Sequence, residues 1–177
     1  GLRPVFADII PETRNIDPER VREKVTGRTR AILTVDFAGH PSHLEELSEI
    51  AAERDLFLIE DACHALGAEY RRKRLGSLAD MTIFSFHPVK AMTTGEGGII
   101  TTNNGELAEK ARLLRNHGDT GKYQHVILGY NYRMSEAVAA VGLVQLKKLD
   151  KLNEKRRKNA EALGAVSGKR CQPYSAR

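Results

Sequence analysis

Residues 30–65 read RAILTVDFAGHPSHLEELSEIAAERDLFLIEDACHA, and the order of apolar and polar positions in this stretch decides the fold class. Arg30 to Phe37 is a short apolar run, the pattern of a buried strand. Pro41-Ser42 opens a helix. Ser42 is the expected N-cap, Glu45 its capping-box partner, and Leu44, Leu47, Ile50 and Ala51 the inner stripe. Leu56 to Ile59 is a second buried strand. A strand, a helix and a strand in succession call for a crossover connection and parallel pairing. The expected class is therefore α/β, a mostly parallel sheet with helices on both faces.

Downstream, Gly67 to Tyr70 and Leu75 flank the basic turn Arg71-Arg72-Lys73-Arg74 as short extended pieces. Met81 to Phe86 (MTIFSF) is a further strand, and Gly98 to Thr102 (GIITT) another, after the cluster Gly95-Glu96-Gly97-Gly98. Asn104 caps a helix running to about Asn116, and Gly118 to Gly129 is a long polar loop. Ser135 starts the last helix, with Glu136 in the first turn where the helix dipole favours an acid. That helix is expected to reach about Ala162. After Leu163 the apolar periodicity stops. Residues 1–163 are thus expected as one partial large domain ending in a long helix, and 164–177 as an irregular tail.

The 177 residues suffice for one domain with a core. A chain 41% hydrophobic and 29% charged has ordinary soluble composition. No apolar run approaches the ~20 residues of a membrane span, and Gly1-Leu2-Arg3-Pro4 is no secretory leader. Two cysteines, Cys63 and Cys171, make no disulfide framework. A cytoplasmic protein without a membrane partner is expected, and the missing initiator Met suggests a start inside a longer protein. The net charge is +5, concentrated in Arg71–Arg74 and Lys147–Lys158. Both clusters read as solvated surface. In the second, Leu146, Leu149 and Leu152 recur at helical spacing, which makes the lysines the wet side of an amphipathic helix.

Two short stretches could carry chemistry. Glu60-Asp61-Ala62-Cys63-His64 ends a buried strand, and ligand crevices of parallel sheets lie at such carboxyl ends. Alone, Asp61 reads equally as a helix cap or a surface acid. Ser85-Phe86-His87-Pro88-Val89-Lys90 ends the next strand and leads into the glycine cluster. A lysine delivered into a walled crevice can act as an amine nucleophile, while glycines let backbone approach a ring or phosphate. Alone, Lys90 also reads as a surface lysine on a turn. Together the two stretches say more than either does. A pyridoxal cofactor requires a lysine for its Schiff base and a carboxylate against its ring nitrogen, both reaching one crevice.

At these residues the chain resembles the sugar aminotransferases of the DegT/DnrJ/EryC1/StrS family, within the aspartate-aminotransferase fold type. The matching stretches are Pro4-Val5-Phe6-Ala7-Asp8, Glu60 to Ala65, Gly76-Ser77, Phe84 to Lys90, Gly95 to Gly98 and Asn131 to Glu136, in order across residues 2–160. The Ser-Phe-His-x-x-Lys stretch is similar to that of enzymes aminating 4-keto-6-deoxy sugar nucleotides. The resemblance implies pyridoxal 5'-phosphate as cofactor, bound by Asp61, His64, Ser85, Lys90 and Asn131, with Lys90 and Asp61 catalytic and no metal. Asp61 would meet the pyridine nitrogen, His64 would lie beside the ring 3-oxygen, and Ser85 would donate to the phosphate. Lys90 would form the Schiff base and shuttle the proton. Asn131 would reach the phosphate of a partner subunit's cofactor in a homodimer. His64 also reads as a core histidine, Asn131 as a turn residue, and His87 as either a sugar-pocket or a structural residue. Family members with His at the Schiff-base position dehydrate; Lys90 implies transamination. The substrates implied are a nucleotide-linked keto-sugar and an amino-acid donor, with glutamate expected.

The family's amino-terminal phosphate turn and carboxyl-terminal small domain have no counterpart here, so a catalytically incomplete fragment is expected. The chief rival is a non-catalytic basic α/β domain binding nucleic acid or another anionic partner. It would need aromatics interleaved with the basic residues, and the chain has no Trp, so no nucleic-acid partner is expected. A nicotinamide-binding fingerprint fails because the glycine cluster precedes a strand. A cysteine hydrolase lacks a nucleophile elbow around Cys63, and a zinc site lacks ligand spacing.

Overall fold

The computed structural model describes residues 1–167. A four-stranded sheet has the order β1 (Ala31–Val35), β2 (Phe57–Asp61), β5 (Met81–Ser85), β6 (Gly98–Thr101). The first three strands are parallel and β6 pairs antiparallel with β5 at one edge. Between β2 and β5, β3 (Glu69–Tyr70) and β4 (Lys73–Arg74) form a small antiparallel hairpin around the basic turn. The mostly parallel α/β sheet read from the sequence is therefore present.

The helices are α1 (Pro18–Lys24), α2 (Leu44–Glu53), α3 (Gly105–Arg115), α4 (Glu136–Leu146) and α5 (Leu149–Ser167). Helix α1 escaped the sequence reading, although its start is well marked. Asp17 caps it by accepting from the Glu19 N–H at 2.9 Å, and Pro18 sits at its first position. Seven residues leave little room for an apolar period to declare itself.

Packing is one-sided. Side chains alternate along a strand, so paired residues share a face. Ile32 and Thr34 of β1, Leu58 and Glu60 of β2, and Thr82 and Phe84 of β5 point to one face, and all are buried. Against that face lie Val21 of α1 and Leu47, Ile50 and Ala51 of α2, with Ala79 beside them. Burying a Leu or Ile fully contributes about 1.5–3 kcal/mol, so this layer holds β1 and β2 in place. On the opposite face Leu33 is 57% exposed, and Val35, Phe57 and Ile100 are exposed too. The helices expected on both faces thus cover, through α1 and α2, one of them.

Three local expectations are corrected. Ser42 does not cap α2: it is fully buried, its hydroxyl receives the Thr34 hydroxyl at 2.7 Å, and its N–H donates to Asp36 Oδ1 at 2.9 Å. His43 takes the cap position without a side-chain bond to the helix. Glu45 pairs with Arg71 across the surface instead of reaching back to Ser42. Second, the single last helix is two, α4 and α5, separated at Lys147–Lys148. Leu149, 4% exposed, packs on Gly67, and Asn153 Nδ2 donates to the Leu66 carbonyl at 3.1 Å. That docking of α5 near the β3–β4 hairpin coincides with the break. Third, α5 continues to Ser167, so residues 164–167 are helical; the rest of the expected irregular tail, 168–177, lies outside the described residues. No helix among the described residues is long and apolar enough to cross a membrane.

Candidate active site

Asp61 is the last residue of β2, and Ser85 the last of β5. The register pairs Asp61 with Ile83, so Ser85 lies one pleat further along the neighbouring strand on the same face. That is the less covered face, and both side chains are half-buried there. The carboxylate of Asp61 is oriented locally: Oδ1 accepts the Cys63 N–H at 3.0 Å, an Asx turn that closes the strand end.

Lys90 belongs to a loop stitched shut at Phe86. The Phe86 N–H donates to the Gly97 carbonyl at 2.8 Å, and the Phe86 carbonyl accepts from the Thr94 N–H at 3.0 Å and the Thr93 hydroxyl at 2.9 Å. Within it the Lys90 N–H donates to the His87 carbonyl at 3.0 Å, and the His87 N–H donates to Ser85 Oγ at 3.3 Å. Gly97 has φ +141, and a Cβ there would lie 2.6 Å from Met134 Cε. Only glycine closes this loop against the segment entering α4 without displacement.

Cys63 reports on the neighbourhood of both groups. Burial pushes its thiol up to about 11, and the hydrogen bond and charge of Asp61 push in the same direction. The positive charge of Lys90 pulls it partly back, so Lys90, Cys63 and Asp61 share one electrostatic environment. A thiol so raised is protonated at neutral pH, which removes the nucleophile a cysteine hydrolase requires.

His64 is exposed beyond the end of β2. Its Nδ1 accepts the Ala38 N–H at 3.3 Å, and its ring meets the Phe37 ring edge-on at 6.3 Å. With Nδ1 accepting, the ring proton sits on Nε2. The short 3-10 turn Phe37–Gly39 that holds His64 was not anticipated from sequence. Gly39, at φ +85, approaches so closely that a Cβ would lie 2.9 Å from the His64 carbonyl oxygen.

Asn131 stands apart. It is exposed, bridged to Asn116 at the end of α3, and flanked by the stacked rings of Tyr130 and Tyr132. Among the described residues none of its hydrogen bonds reaches Asp61, Ser85 or Lys90. His87 is exposed, with Nδ1 accepting the Val89 N–H at 3.5 Å, a turn contact. No group of three or more metal-ligating side chains occurs among the described residues. Four residues of the basic clusters pair with acids: Arg71 with Glu45, Arg74 with Asp150 and Glu69, and Arg157 and Lys158 with Glu154.

Known proteins resemble this chain in sequence and in fold. A UDP-4-amino-4,6-dideoxy-N-acetyl-beta-L-altrosamine transaminase of Campylobacter jejuni is 45% identical over 163 residues, 88% of this chain and 43% of that protein. The Helicobacter pylori aminotransferase PseC, involved in pseudaminic acid biosynthesis, superposes with a TM-score of 0.88 at 36% identity, over 97% of this chain and 46% of that one. An E. coli GDP-4-keto-6-deoxy-D-mannose-3-dehydratase with bound hydrated PLP gives 0.84 at 36% identity, over 90% and 46%. The chain therefore spans less than half the length of these relatives. The DegT/DnrJ/EryC1/StrS aminotransferase family matches residues 1–166, and this chain belongs to it.

Proposed function

We propose that the chain forms the cofactor-binding core of a pyridoxal 5'-phosphate-dependent aminotransferase that moves an amino group, from glutamate, onto a nucleotide-linked keto-sugar. The observation that carries the reading is the common placement of Asp61 and Ser85 at adjacent strand ends on one face, with the charge of Lys90 acting on Cys63 two residues past Asp61. The donor set fits the cofactor. A carboxylate suits a ring nitrogen, and the Ser85 hydroxyl, which accepts from His87, keeps its own hydrogen for a phosphate oxygen. His64 carries an Nε2–H suited to a ring oxygen, and Lys90 an amine suited to an aldehyde.

When bound, the cofactor supplies a ring that accepts the electron pair left on the substrate carbon after proton loss. The chain's own groups do the rest. Asp61 would hold the proton on the ring nitrogen. Ser85 Oγ and the closed loop would keep the phosphate end in place. Lys90 Nζ would move the proton of the substrate carbon. A lysine at this position supports amination over dehydration. Pairing of the basic clusters with Glu45, Glu69, Asp150 and Glu154 speaks against the nucleic-acid alternative.

Exposed Asn131, with the apolar surface of Leu128, Tyr132, Leu143 and Val144 near it in sequence, supports a homodimer in which Asn131 approaches the site of its mate. A cytoplasmic location completes the proposal. Two experiments test it. Borohydride reduction of the protein with pyridoxal phosphate, followed by peptide mapping, is expected to label Lys90; a label on another lysine overturns the assignment. Sedimentation of the full-length protein is expected to give a dimer, and a fully active full-length monomer would refute that part.

A further inference from the structure

Directly behind the candidate site, on the covered face of the sheet, two carboxyl groups meet out of reach of water. Asp36 and Glu60 are both 0% exposed. Each has one oxygen occupied. Asp36 Oδ1 accepts the Ser42 N–H at 2.9 Å, and Glu60 Oε2 accepts the Thr82 hydroxyl at 2.6 Å. The oxygens left over, Asp36 Oδ2 and Glu60 Oε1, are buried without a hydrogen-bond partner. The register pairs Glu60 with Thr34, and Asp36 lies one pleat beyond Thr34 on the same covered face, so the two acids are neighbours that a shared hydrogen would join in a bond. Two carboxylates cannot make that bond, because neither has a hydrogen; a carboxylic acid and a carboxylate can.

The pair also sits where it controls site residues. Glu60 precedes Asp61 in β2, and the Asp36 N–H donates to the Asp61 carbonyl at 3.0 Å, extending the ladder between β1 and β2. Asp36 immediately precedes the turn Phe37–Gly39, whose Ala38 N–H holds the His64 ring. Thr82 ties Glu60 to β5, and Ser42 ties Asp36 to the entry of α2.

We propose that Asp36 and Glu60 share a single proton and that this acid–carboxylate clamp is the positioning device for Asp61 and His64; the second half rests on the cofactor-site reading above. The electrostatics agree. Burial is the largest cause raising both acids; for Glu60, taken to about 8, the charge of Asp36 adds to it, whereas Glu60 pulls Asp36 partly back down. The other charged groups acting on the pair are Asp61, which raises Asp36 further, and His40 from the loop ahead of α2. Burial and His43 hold His40 below the ordinary histidine range, so it is neutral at pH 7 and brings no compensating charge.

The sign of the pH effect follows. Above the ordinary glutamate value the unfolded chain releases this proton while the folded chain keeps it. Stability therefore declines as pH rises from about 4.5 through about 8. In Glu60→Gln the side-chain amide donates to Asp36 Oδ2 without a titrating proton, so the fold is kept and that part of the decline disappears.

Infrared difference spectroscopy at pH 7, with carbon-13-labelled carboxyls, is expected to show one buried carboxylic-acid band that is absent from both Asp36→Asn and Glu60→Gln. Thermal melts across pH 5–8 are expected to show a flatter profile for Glu60→Gln than for the unsubstituted protein. NMR of the His64 ring is expected to shift in Asp36→Ala and to return nearly to its original position in Asp36→Asn. A missing acid band overturns the shared proton, as does a stoichiometric metal ion retained by two ionised carboxylates. An unmoved His64 ring in Asp36→Ala overturns the positioning role. An acid band in a full-length protein that takes no pyridoxal phosphate would uphold the clamp and refute the cofactor reading, so the two fail separately.

Discussion

On the covered face of the sheet β2 contributes Leu58 and Glu60, both buried; on the opposite face the same strand contributes Phe57, Ile59 and Asp61, none of them buried. Glu60 and Asp61 are adjacent acids with opposite circumstances, separated only by the two-residue period of a strand. Behind the sheet, α1 and α2 exclude water, so an acid there must keep or share a proton. In front, the ends of adjacent strands place Asp61 and Ser85 half-buried on one face. The covered face decides whether the chain folds, and the open face what it can bind.

The contrast can be broken at several points. The largest effect is expected from Lys90→Ala, which removes the proposed Schiff-base amine. Transamination by the intact protein should fall by about a thousandfold or more, as for loss of a nucleophile, while the melting temperature stays nearly constant. Activity retained at the parent level would sink the assignment. Asp61→Asn should lower turnover by about 10²–10³-fold, the range for removing one preorganised charge from a developing one. Cofactor absorbance should survive in part. Near-normal kcat in this variant would rule out the electron-sink role.

Substitutions away from the chemistry sharpen the comparison of the faces. Leu47→Ala on α2 should cost about 2–5 kcal/mol of stability in denaturant melts of this chain. Leu33→Ala on the open face should cost well under half of that, because Leu33 is 57% exposed. Equal losses would mean that the open face is also packed. The smallest effect concerns Cys63. With its thiol raised to about 11, alkylation at pH 8 in a Cys171→Ser background should run about a hundredfold slower than for an ordinary cysteine. Rapid labelling would show that the surroundings of Cys63 do not raise its thiol.

The strands Met81–Ser85 and Gly98–Thr101, the crossover through α2, and helix α3 capped by Asn104 were legible from apolar runs and capping residues, because those signals are local. Asp61 and Lys90 were nominated as a pair because each follows an apolar strand and the chemistry of a pyridoxal site requires both types; their roles stand as the proposal above. The stitched loop at Phe86, the His64 contact with the turn at Ala38, and the break between α4 and α5 were not legible. Each depends on groups far apart in sequence: Gly97 on Phe86, Ala38 on His64, Leu149 on Gly67. Ser42 shows the limit most plainly. Its type and position suit a helix cap, yet a buried carboxylate six residues earlier takes its N–H, because leaving that acid without a donor in the interior would cost more than the lost cap. Local pattern determined the elements and nominated the reactive residues; burial and distant hydrogen bonds decided which face each acid serves, because desolvation exists only once the chain has closed on itself.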